Sequence, residues 1–66
     1  MLVNSDKIRI LAAQQGVNLG ELAQRANISR QTLSTALTRR TCRADTVVKL
    51  SGALSIDASE ILEPAQ

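Results

Sequence analysis

The chain has 66 residues with no aromatic side chain, no histidine and a single cysteine. That leaves room for one small domain with a core of Leu, Ile, Val and Ala. It excludes a disulfide within the chain and a zinc site built by one copy, and so fits a reducing, cytoplasmic setting. Formal net charge is only +2, but residues 22–44 carry Arg25, Arg30, Arg39, Arg40 and Arg43 with no acid, whereas residues 45–66 set Asp45, Asp57, Glu60 and Glu63 against Lys49 alone. A basic middle of this kind suits phosphate, the alternative being an arginine-rich solvated surface.

Met1 leads directly into the polar group Asn4-Ser5-Asp6, with no apolar stretch long enough for a signal peptide or a membrane span. An unprocessed protein with no membrane partner is expected. Apolar residues then recur at helical spacing. The first helix is predicted over 6–15, with Ser5 as cap, Asp6 at the positive end of the dipole, and Ile8, Leu11 and Ala12 on one face. Gly16 ends it by taking the left-handed conformation of a helix exit. The second is predicted over 19–26, capped by Asn18 with Glu21 three residues on, and buries Leu19, Leu22, Ala23 and Ala26. Asn27 tolerates positive φ and Ser29 is a strong cap, so about three residues separate this helix from the next. A connection that short fixes the steep corner of a helix-turn-helix unit.

The third helix is predicted over 30–38. At ~100° per residue, Leu33, Ala36, Leu37 and Thr32 fall on one side, while Arg30, Gln31, Ser34, Thr35 and Thr38 fall on the other. That outer face is wholly hydrogen-bonding and holds no carboxylate, where an ordinary solvated face would mix in Glu and Lys. A fourth helix over 44–54 directs Val47, Leu50 and Leu54 inward, and its small residues Ser51, Gly52 and Ala53 leave space for another backbone to come close. The fifth is short, 58–63, with Asp57 as cap, Glu60 at the capping-box position, and Pro64 disfavouring helix at Glu63. Residues 65 and 66 are expected to fray. The expected class is all-α, with five helices.

The run Leu19-Gly20-Glu21-Leu22-Ala23-Gln24-Arg25-Ala26-Asn27-Ile28-Ser29-Arg30-Gln31-Thr32-Leu33-Ser34, with Lys49-Leu50-Ser51-Gly52-Ala53-Leu54-Ser55-Ile56 and Glu60-Ile61-Leu62 behind it, resembles the phage-repressor and Cro-like (Xre-type) family. The likeness covers about residues 5–62. It implies a compact, lambda-repressor-like five-helix domain with a central helix-turn-helix. In function it implies a sequence-specific transcriptional regulator of double-stranded DNA, a repressor acting by occupancy of a palindromic operator as a homodimer. Ala23 stands where the family needs a small residue at the helix crossing, and Asn27 and Ser55 stand where it usually has Gly. After the third helix the family's large apolar residue, polar residue and Gly are replaced by Ala36, Leu37 and Arg39, which shifts packing onto Leu37 and changes the exit turn.

Carried over position by position, the resemblance implies base contacts from Arg30, Gln31, Ser34 and Thr35. Arg suits guanine, Gln suits adenine, and the Thr methyl suits thymine. It implies phosphate contacts from Asn18, Gln24, Thr32, Thr38, Arg39, Arg40 and Arg43. It also implies a twofold interface around Leu54, Ile56, Ile61 and Leu62. Cys42 lies between basic residues that would lower its thiol pKa, yet no histidine exists to complete a catalytic pair. No paired carboxylates, phosphate loop or metal cluster marks an enzyme, and no cofactor is expected. The alternative class is a protein-interaction module, such as the antitoxin of a toxin-antitoxin pair, for which the basic face would be dispensable.

Overall fold

The computed structural model describes residues 1–63. Among them are four α-helices, α1 (Ser5–Gln14), α2 (Leu19–Arg25), α3 (Arg30–Arg39) and α4 (Ala44–Leu54), followed by a 3₁₀ turn at Ala58–Glu60. The class is all-α, as the apolar spacing requires, but the fifth element is one 3₁₀ turn and not a helix over 58–63. Asp57 caps it by accepting the Ser59 amide. Ile61 then turns into the core, and Leu62 leaves the helical path to pair with Val3. Pro64 and the expected fraying of residues 65 and 66 lie outside the described residues.

Local capping sets the starts of the first three helices. Asn4, Asn18 and Ser29 each accept an amide N–H from three residues on, those of Lys7, Glu21 and Thr32. Asn4 and not Ser5 is therefore the first cap. Ser5 is instead the first helical residue, buried, and its hydroxyl donates to the Leu37 carbonyl of α3 at 2.6 Å. All four helices end alike. Gly16, Asn27, Arg40 and Ser55 take positive φ, and the residue after each donates its N–H to a carbonyl five positions back, on Ala12, Ala23, Ala36 and Ser51. Three of these four carry a side chain into a conformation that disfavours one, at about 1–2 kcal/mol each. The exit of α3 falls at Arg40, one residue beyond the position of Arg39 that the family resemblance implies.

One apolar cluster joins the elements. Ile8 and Ala12 from α1, Leu22 and Ala23 from α2, Leu33 and Leu37 from α3, and Val47, Leu50 and Leu54 from α4 meet Val3, Val17 and Ile61. α2 packs on α1, α3 and α4, and α4 packs on the 3₁₀ turn. The assignment of Leu54 and Ile61 to an interface between copies fails here. They are 1% and 0% exposed within their own chain, so they build the core and offer no surface. Ile56 and Leu62 are only half-buried.

The first four residues take a part that their composition did not announce. Val3 donates to Arg40 O at 2.9 Å and the Cys42 amide donates to Met1 O at 3.0 Å, while on the other side Asn4 donates to Ile61 O at 2.7 Å and Glu63 to Leu2 O at 3.0 Å. This short extended segment lies between the α3–α4 loop and the chain after the 3₁₀ turn, antiparallel to both. Val3 is fully buried between them.

Candidate nucleic-acid interface

The exposed side of α3 follows from its inward residues. With Leu33, Ala36 and Leu37 buried against the rest of the fold, Arg30, Gln31, Ser34, Thr35 and Thr38 are left open to solvent. Thr32, expected on the inner side, is also exposed. It lies at the boundary of the buried stripe in the first turn, where its amide and hydroxyl are both bonded to Ser29 Oγ, at 3.0 and 2.6 Å. No carboxylate interrupts this face.

Two further regions border it. On one side, α2 begins beside the start of α3: a methyl group on Gly20 would lie 3.3 Å from Asn18 Oδ1 and 4.0 Å from Arg30 Nε. The guanidinium of Arg30 thus lies over the first turn of α2, next to the Asn18 cap. On the other side, an open concavity of about 370 Å³ runs between α3 and the start of α4, and brings Gln31 and Thr35 together with Thr41, Cys42, Arg43 and Thr46. Sequence reasoning missed Thr41 and Thr46. A hydroxyl residue two or three positions from Arg43 was the available signal.

The remaining arginines stand free or nearly so. Arg40 lies 3.8 Å from Asp6 and Arg43 3.8 Å from Asp45, in pairs whose side chains are mostly exposed. Pairs that long and that wet hold little, and leave both cations open to an anion. Arg25, Arg30 and Arg39 make no ion pair among the described residues, and Gln24 is exposed on α2. Cys42 departs from expectation. Burial pushes its thiol above the ordinary value, and Asp45 adds to the rise against the opposing N-terminal ammonium. Desolvation outweighs the neighbouring positive charge, so Cys42 is a poor nucleophile at neutral pH.

A family model for the Cro/C1-type HTH DNA-binding domain matches residues 7–66. The chain belongs to that family. The helix-turn-helix is α2 and α3 with the Ala26–Ser29 corner between them, and the family binds DNA and is not an enzyme family. The fold is similar to that in a crystal structure of a hypothetical transcription factor, NHTF, from Neisseria, with a TM-score of 0.74 at 19% identity over 91% of this chain and 78% of that one. No curated protein matches the chain in sequence. Among the described residues no helix is long and apolar enough to cross a membrane.

Proposed function

We propose that this Cro/C1-type domain is a sequence-specific transcriptional regulator that works in the cytoplasm and represses by occupying an operator. The observation that carries this reading is the outer face of α3. It is open along its length, built only of hydrogen-bonding groups, and continuous with a concavity holding Arg43. Set in a major groove, Arg30, Gln31, Ser34 and Thr35 meet base edges. Asn18, Gln24, Thr32, Thr38, Arg39, Arg40 and Arg43 take the flanking phosphates in this reading.

A single reading helix per chain supports a homodimer. Among the described residues there is one helix-turn-helix, which reads one half-site, and successive major grooves on one side of a duplex lie ~34 Å apart. Reading two half-sites takes two copies and makes the operator palindromic. Ile56 and Leu62, half-buried near the end of the fold, are the contact residues that remain from the sequence reading.

The test is selection of binding sites from random duplexes, followed by competition at moderate salt. A palindromic motif that outcompetes its scrambled version by at least a hundredfold supports the reading. Equal competition by the two rejects sequence-specific regulation and leaves a DNA-binding domain without a code, or a protein-interaction module.

A further inference from the structure

The chain has three glycines, and the fold asks a different thing of each. Gly16 takes a φ of +69°, which the exit of α1 requires, and Gly52 has nothing within 4 Å of where a side chain would begin. Gly20 is unlike both. It lies in the first turn of α2 with a φ outside the left-handed region, so its backbone does not call for glycine, and inside a helix glycine is a weaker choice than alanine. Its neighbours set it apart: a methyl group there would lie 3.3 Å from Asn18 Oδ1 and 4.0 Å from Arg30 Nε.

Charge does not hold Arg30 in this place. The residue is exposed and makes no ion pair among the described residues. It is the first residue of α3 and lies against the first turn of α2, so the positive ends of two helix dipoles work against its guanidinium. The acceptor beside it, Asn18 Oδ1, takes the Glu21 amide at 2.8 Å. The side chain rests there because the bare backbone at Gly20 leaves room. A methyl group at 4.0 Å from Nε would make ordinary van der Waals contact. A second carbon bonded to it on the Arg30 side would fall inside that distance and take the place of the arginine stem.

We propose that Gly20 is a positioning residue: by keeping this space open it sets where the Arg30 guanidinium stands, and with it how strictly Arg30 selects its base pair in each half-site. A bidentate contact to guanine needs two N–H groups aligned at once, and such an arrangement tolerates a displacement of only about 0.5 Å. Gly20 itself touches no base. The consequence for base choice rests on the reading role proposed above for Arg30; the placing of the side chain does not.

The test has two arms. In the first, the full chain without DNA is followed by NMR. Nuclear Overhauser contacts are expected between the Gly20 α protons and the δ and ε protons of Arg30. The Arg30 Nε–H resonance should move in Gly20→Val, which is branched at Cβ, and stay in Gly20→Ala. In the second arm, binding sites are selected from random duplexes with wild type, Gly20→Ala, Gly20→Val, Arg30→Ala, and the last two combined. Gly20→Val should lose roughly tenfold of preference at one base pair per half-site. That pair is the one Arg30→Ala also loses, and the combined variant should lose nothing further there. Gly20→Ala crowds the Asn18 cap without displacing Arg30, so it should keep the preference, and a change in Tm shared by both variants reports the cap alone. Absence of the proton contacts, or an Arg30 resonance indifferent to Gly20→Val, overturns the proposal. So does a Gly20→Val chain that moves Arg30 yet keeps the wild-type preference at every pair. Should Gly20→Val not fold, Gly20→Leu replaces it in both arms. If Arg30→Ala alters no base preference, the reading role of Arg30 is what fails, and the first arm still decides whether Gly20 places the side chain.

Discussion

The two ends of α3 are held in different ways. Its start is closed locally, by Ser29 bonding Thr32 three residues on. Its end is held from far along the chain: Ser5 donates to Leu37 O, Val3 donates to Arg40 O, and Asp6 stands near Arg40. A helix that presents a reading face has to keep that face at a fixed angle, and a cap at one end cannot do this alone. The remote bonds tie the exit of α3, and with it Arg40 and the loop leading to Arg43, to the first turn of α1.

Ser5→Ala breaks that comparison most directly. It leaves the Leu37 carbonyl buried without the hydroxyl, at a cost of about 1–3 kcal/mol. In a domain of this size that is a fall in Tm of roughly 5 °C or more by calorimetry. Ser29→Ala removes a local cap in a solvent-exposed turn and should cost about 1 kcal/mol in the same measurement. If it proves the costlier of the two, the end of α3 is not held in the way described. Arg40→Gly should act with opposite signs on fold and binding. Relief of the positive φ at Arg40 raises stability by about 0.5–1 kcal/mol in urea titrations. If Arg40 meets a phosphate as proposed, losing its cation lowers the log–log salt slope of DNA binding by roughly 0.9. Asp6→Asn, which removes a 3.8 Å pair between mostly exposed side chains, should change stability by less than about 0.5 kcal/mol in either direction.

The same contrast explains what was legible in the sequence. Asn18, Asn27 and Ser29 act on residues within five positions of themselves, so the α2–α3 corner could be read from residue chemistry alone. The open face of α3 followed from the placing of Leu33, Ala36 and Leu37. Ser5 was misread because a serine before an apolar-periodic run is ordinarily a cap, and its partner is 32 residues away. The pairing of residues 2 and 3 with 41 and 62 was invisible for the same reason, since two isolated bridges leave no alternating pattern. Thr32 was misplaced because a wheel assigns a side chain near the edge of a buried stripe to one face or the other, and the edge is where Ser29 holds it. Leu54 and Ile61 went to an interface by likeness to other proteins, whereas in this chain a core without aromatics needs every large aliphatic residue it has. The concavity depends on the loop after α3, whose path is set by the N-terminal segment, and so it could not be drawn from local pattern.

The central claim is that the outer face of α3 reads bases. Its most direct measurement is the affinity of wild type, Arg30→Ala and Gln31→Ala for the selected palindrome and for its scrambled version, at one salt concentration. Each substitution should cost about 1–3 kcal/mol on the palindrome and much less on the scrambled duplex, so that discrimination between them collapses. Equal losses on both duplexes, or no loss on either, would show that this face does not carry the sequence preference.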